Sequence, residues 1–376
     1  MPNSIKHEIF TNFENLNSHI IDKNTNKTKS KLNVTDFSLD IKVKEIKEQL
    51  NLQISEGSIY CYSVGRLYLH EYVTSGNSTV LNIIEITPRD TNFNNYYVKK
   101  YSTICKTGSY TLLFKPYSNG IYIAINDYTE EKIYLYNLNS NSNLTLPLIL
   151  PFSQNSTAVN QLILSDDEIT LYIVKNTEII ETNLQSQTSY TIPGSFTSGF
   201  AAHIKHGNYI YLLTSVNFGY IVFDTSDYSF TSFKSIDANS GFGNNLLLGA
   251  YYDNQYVTNV SQSGSCFYLL DVYNKNILAT KLTADNAVFS SKPVLAPNNF
   301  MYTISGNKII EFNPRNKLSY DITDSNINNN ICLASILLTN GNILYLIKDR
   351  TDNKNKFVYL NRTAPNVAKD NILLLN

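Results

Sequence analysis

A tyrosine inside a short apolar strand recurs seven times along this chain, and that recurrence limits the fold more than any other feature. It appears in GRLYLHEYV (Tyr68), SNGIYIAI (Tyr122), DDEITLYIV (Tyr172) and HGNYIYLL (Tyr211). It returns in YDNQYVTN (Tyr256), PNNFMYTI (Tyr302) and NGNILYLI (Tyr345). Each copy is followed by a second apolar strand ending in a small polar or acidic residue. Those ends are Thr87, Asn137, Asn183, Asp224, Asp271, Asn313 and Asn361. One further apolar stretch precedes each tyrosine strand, and a more polar one follows the second landmark. Successive tyrosines lie 39 to 54 residues apart, a mean of about 46. Four short strands per unit at that period is the pattern of a propeller blade.

The spacing therefore predicts an all-β chain, a seven-bladed β-propeller over residues 57–376, with six or eight blades as the alternatives. A β-sandwich would not hold one strand order through seven units, and a parallel β-helix would show a shorter, stricter rung. The strand before each tyrosine is the most continuously apolar and is expected innermost, packed on both faces. The C-terminal NILLLN (371–376) is expected to serve as the last blade's outer strand. On that count ring closure needs no strand from the N-terminus, although residues 36–52 could add to it.

The units resemble YVTN-type β-propeller repeats. Tyr256-Val257-Thr258-Asn259 carries the tetrapeptide itself, and Tyr268-Leu269-Leu270-Asp271 is similar to the family's V-x-V-I-D strand. The segments LAPNNFMYTI and LILSDDEITLYIV resemble its PDG hairpin, but most copies lack the Pro-Asp-Gly turn. The resemblance implies a fold and no particular activity.

Residues 1–56 read differently. Ile5, Ile9, Phe13, Leu16 and Ile20 recur at intervals of four, four, three and four. That spacing places them on one stripe of a helix. A polar linker, DKNTNKTKSK (22–31), follows. Residues 36–52 form either a second short helix or an entering strand. The division expected is an N-terminal helical arm and linker over 1–56 and the propeller over 57–376. The arm's apolar stripe needs cover, from its own domain, a protein partner or other copies of itself.

Composition narrows the partners. Net charge is −1, so broad attraction to nucleic acid or anionic membrane is not expected. No apolar run reaches the ~18 residues of a membrane span. The N-terminus lacks the basic and apolar regions of a signal peptide. A soluble protein is expected, cytoplasmic or virion-associated. Cys61, Cys105, Cys266 and Cys332 form no CxxC pair and read as small buried hydrophobes.

Catalytic chemistry has little to stand on in the sequence. His203 and His206 are three apart, on opposite faces of a strand, so they do not chelate one ion. No P-loop, HExxH or nucleophile elbow occurs. The acidic run Ser165-Asp166-Asp167-Glu168 reads as a hairpin turn, and Asp224 and Asp271 as turn formers at strand ends. No metal or cofactor is expected.

Function is therefore expected in the loops and the arm. Phe196, Phe200, Phe218 and Phe242 fall in predicted Gly/Ser-rich loops, with Tyr128 in another. They are candidate binding residues on the loop face. The alternative is that these rings plug the channel or brace neighbouring blades. The leading expectation is a non-catalytic scaffold tethered by Ile5, Ile9, Phe13, Leu16 and Ile20 to a larger assembly. An accessory protein of a virus particle fits that layout. The competing reading is a glycan-binding or glycan-cleaving propeller, although the chain has no Trp platform.

Overall fold

A computed structural model describes residues 20–21, 28–29, 39–45, 61–63, 65–75, 78–89, 96–105, 110–150, 159–194, 196, 199–214 and 219–236 of the 376-residue chain. It further describes 245–252, 255–261, 266–281, 294–295, 300–305, 308–313, 318–321, 330–338, 342–349 and 354–362. Apart from a two-stranded ladder of 20–21 with 28–29, these residues form seven antiparallel sheets in chain order. Sheets 1 to 6 span 61–102, 110–150, 159–193, 200–235, 245–281 and 294–321. In each, strand order in space follows strand order in the chain. Sheet 4 splits its outer strand into two pieces, Ser229–Phe230 and Lys234–Ser235.

All seven landmark tyrosines lie on second strands, and all seven polar landmarks on third strands. The first strands of successive sheets pack against one another from sheet 1 to sheet 7. The sheets therefore radiate from a common centre. Mixed apolar clusters fill the seams. Leu67, Ile84, Ile336 and Phe357 join sheets 7 and 1. Tyr68, Leu81, Ile123 and Tyr136 join sheets 1 and 2. Comparable clusters join sheets 2 and 3, 3 and 4, and 4 and 5. Alternate residues of a strand face opposite neighbours, so each sheet contributes one face to each of two seams.

Sheet 7 combines three strands from 330–362 with Leu39–Glu45. Val43 pairs with Val358 and Ile41 with Leu360. The closing strand thus comes from the N-terminal end of the chain, in the place expected for NILLLN, a segment outside the described residues. Leu39, Ile41 and Val43 alternate with Asp40, Lys42 and Lys44. That period of two fits the strand observed over Leu39–Glu45, within the stretch 36–52.

Two further expectations change. In sheet 4 the innermost strand is not the most deeply buried. The second and third strands of sheet 4 are almost wholly buried, while its first strand leaves His203 and Lys205 half-buried. An innermost strand has one edge at the ring centre, and the middle strands have neighbours on every side. Second, Ile20 was expected on a helical stripe but pairs with Lys29 in a two-stranded ladder. The β-branched pair Ile20-Ile21 favours extended backbone. Ile5, Ile9, Phe13 and Leu16 lie outside the described residues. Among those described, no helix is long and apolar enough to cross a membrane.

Candidate functional site

The first–second and third–fourth turns of the sheets share one face of the ring, and polar contacts stitch neighbouring sheets there. In sheet 1, Tyr68, Glu85 and Lys99 form one cross-strand row. Glu85 is buried, and its carboxylate is ringed by donors. Arg66 Nη1 lies 3.2 Å away, Ser142 Oγ 2.7 Å, Tyr101 OH 3.1 Å and Thr87 Oγ1 3.2 Å. Ser142 belongs to the third–fourth turn of sheet 2 and takes a positive φ of 58° to reach back. Its carbonyl also accepts from Lys99 Nζ at 2.9 Å. Burial pushes the Tyr101 phenol up to about 12, with the Glu85 charge adding to it.

Sheet 3 repeats the row as Tyr172, Glu181 and Tyr190. Here the neighbour's turn supplies Tyr228, again at positive φ. Burial, and next the charge of Glu181, push Tyr172 up to about 12. The Tyr228 phenol is raised first by its hydrogen bond to Glu181 and then by burial. A continuous run of rings crosses this seam. Tyr190 and Tyr228 have centroids 6.1 Å apart, Phe223 stacks on Phe230 at 4.9 Å, and Phe230 meets Phe196 at 5.2 Å. Phe196 then meets Phe200 at 5.0 Å.

Ion pairs and capped turns also occur on this face. Lys275 Nζ reaches Asp224 at 2.9 Å, and Lys205 Nζ reaches Asp166 at 2.6 Å. Hydrogen bonds from Ser226 and Lys275 hold the Asp224 carboxyl below the usual carboxylate range. Asp224 also accepts the Ser226 backbone N–H, and Asn183 those of Gln185 and Ser186. Both are the turn formers the sequence implied. The run 165–168 is a turn. Asp167 accepts from Ser165 and Ile169, and Glu168 takes the Ser118 N–H at 2.8 Å.

The loop-face candidates fare differently. Phe196 and Phe200 are buried in the seam between sheets 3 and 4. They brace neighbouring sheets and are not exposed binding residues. A Phe beside a strand end gains more by filling an apolar seam than by standing in water. Tyr128 is half-buried, its hydroxyl 3.4 Å from Thr111 Oγ1. Phe218 and Phe242 lie outside the described residues. Nearby, buried Asp127 accepts the Thr129 and Glu130 amides and the Cys105 thiol at 3.3 Å. His203 Nδ1 lies 2.8 Å from Gln161 Oε1, linking two innermost strands.

The residues that the sequence did not single out are those of the outer strands. Tyr97, Leu146, Ile149, Tyr190, Phe233 and Leu278 are exposed on or beside the fourth strands of sheets 1 to 5. Phe233 lies over Gly219, where any side chain would collide with its ring. The signal was present in fragments such as TSYTI and SFTSFKSI, whose aromatics fall at the predicted rim.

Comparison with solved structures yields propellers. A streptogramin B lyase structure superposes with a TM-score of 0.56 at 10% identity, covering 86% of this chain and 98% of that one. The Pan2 WD40 domain of Neurospora crassa gives 0.58 at 9%, covering 82% and 89%. Virginiamycin B lyase from Staphylococcus aureus gives 0.54 at 11%, covering 86% and 99%. At such identities the likeness shows the fold alone: the chain is an all-β protein with a β-propeller fold. No family model matches the chain, and no curated protein matches it.

Proposed function

We propose that this chain is a seven-bladed propeller of YVTN-like repeats that acts as a non-catalytic interaction scaffold, tethered to a larger assembly through its N-terminal segment. The carrying observation is the rim. Each of the first five sheets offers an exposed large apolar or aromatic side chain on or beside its outermost strand. Exposed aromatic side chains are enriched at protein contacts. The buried acids support the same reading. Glu85, Asp127, Asp224 and Glu311 each accept hydrogen bonds from their own chain, which fits structural roles.

The arm reading gains a fixed origin. Leu39–Glu45 is the outer strand of sheet 7, so the tether proposed here joins the propeller at its rim. A virion accessory role is one assembly that fits this layout.

Deletion of residues 1–37, which spares the closing strand, tests the tether. The shortened chain should keep its sheets and lose the mass of the assembly. An unchanged assembly would refute the tether. A glycan array read with the shortened chain tests the competing glycan-binding reading, which gains if defined glycans are retained.

A further inference from the structure

We infer that the outer end of the seam between sheets 3 and 4 is a seat for a cationic side chain, an arginine or lysine of a partner protein. The inference rests on the scaffold reading and gives one of its contacts a chemistry.

One structural row occurs in two copies that differ in their cations. In sheet 1 the row is Tyr68, Glu85 and Lys99, and Arg66 stands two residues before the tyrosine. The chain supplies its own cations there. Arg66 pairs with Glu85, and Lys99 Nζ lies 4.7 Å from the centre of the Tyr101 ring. In sheet 3 the matching row is Tyr172, Glu181 and Tyr190. The position of Arg66 is taken by Thr170 and that of Lys99 by Tyr190. The carboxylate is kept and both cations are replaced.

Among the described residues no ion pair reaches Glu181, and its Oε2 is a buried oxygen without a hydrogen-bond partner. The third copy differs again. Glu311 is fully buried and accepts from Tyr302 at 2.7 Å. Only the sheet 3 row ends in two described exposed rings, Tyr190 at 61% and Tyr228 at 44%. These rings are 6.1 Å apart, tilted by 40°.

Tyr190 lies directly across the ladder from Glu181, which brings their side chains within about 5 Å. Ring faces attract cations through their quadrupole, and a carboxylate behind the rings adds charge of the same sense. Tyr228 stands close enough to Glu181 for that acid to raise its phenol, and it presents the second ring. An arginine is the better fit, because its planar guanidinium can stack on a tyrosine while its donors face the acid. An anionic or neutral group gains neither term.

The test is a titration of the full chain, labelled with carbon-13 in its tyrosine rings, with acetyl-Gly-Arg-Gly-amide. Tyr190→Phe and Tyr228→Phe identify the two resonances. Both should shift saturably, and the same peptide with uncharged citrulline should leave them still. Glu181→Gln, which keeps the shape and removes the charge, should weaken binding by about fivefold or more, a factor set by the size of a single cation–ring contact. Tyr190→Ala, at an exposed position, should weaken it comparably and serves if the Gln variant folds poorly. Equal response to citrulline, or arginine binding undiminished in both variants, would overturn the inference, as would the absence of any shift. Such a failure would leave the arm-dependent mass of the assembly unchanged, so it can be told apart from failure of the scaffold reading.

Discussion

The phenolic oxygen of Tyr211 accepts the backbone N–H of Lys275 at 3.1 Å, reaching from the second strand of sheet 4 to the third–fourth turn of sheet 5. Tyrosine suits this position because its ring fills an apolar seam while its hydroxyl meets a polar turn beyond it. Tyr211→Phe should therefore cost about 1–2 kcal/mol, the penalty for stranding a partly buried amide. Urea denaturation with an unchanged slope would check it.

Glu85 gathers Arg66, Tyr101, Thr87 and Ser142 about one buried carboxylate. Removing one partner of such a cluster leaves the others uncompensated. Glu85→Ala should destabilise the fold by about 3 kcal/mol. Pairing it with Arg66→Met should recover part of that loss, and a double-mutant cycle in urea measures how much.

Phe223 is fully buried within the aromatic run, whereas Tyr190 at its outer end is exposed. Phe223→Ala should cost about 3–5 kcal/mol through the lost burial and the cavity left behind. Tyr190→Ala should stay within about 0.5 kcal/mol, as surface changes generally do. Thermal unfolding of both variants separates core from rim.

Asp224 and Lys275 give a signed pH dependence. The Asp224 carboxyl is held below its ordinary value by Ser226 and Lys275. Its contribution is present above the unfolded carboxylate range and disappears as pH falls through the lowered native value. The Lys275 ammonium is raised first by its hydrogen bond to Asp224. Its share is present below the ordinary lysine range and is lost as pH climbs through the raised value. The stability gap between the native chain and Asp224→Asn should therefore be full at neutral pH and narrow as pH falls below the ordinary carboxylate range. Denaturation midpoints measured across that range would show it.

Much of the architecture was legible because the blade repeat imposes a fixed position on each landmark. Every repeated tyrosine is on a second strand, and every polar landmark is on a third. Direction was less legible. Tyr68 and Tyr211 face the following sheet. In sheet 7, however, Leu344 and Leu346 face sheet 1, so Tyr345 between them turns the other way. A one-residue offset changes the face of a strand while leaving a tyrosine count unaltered.

The site was less legible than the fold. Glu85, Glu181 and Glu311 share one register opposite Tyr68, Tyr172 and Tyr302. Yet they stand two residues before the landmarks Thr87, Asn183 and Asn313, and only strand pairing reveals the match. Phe196 and Phe200 misled for a simpler reason. Their Gly- and Ser-rich surroundings read as loop, while the seam behind them offered apolar cover. The closing strand Leu39–Glu45 lies far from its partner in sequence, so local pattern could suggest a strand and not its place.

Separating the arm from the closing strand gives a clear contrast. Loss of residues 1–46 strips the outer strand from sheet 7 and bares the edge of Asn355–Arg362. That variant should melt about 3–6 °C lower, a shift matching a few kcal/mol in a chain of this size. Loss of residues 1–37 should leave the melting temperature nearly unchanged.

The most direct measurement is the mass, by light scattering after size exclusion, of the full chain and of residues 38–376, each isolated from cells that naturally make the protein. The scaffold account predicts a full chain in a complex well above its own 42.6 kDa and a shortened chain that runs as a folded monomer. Equal masses for the two would contradict it.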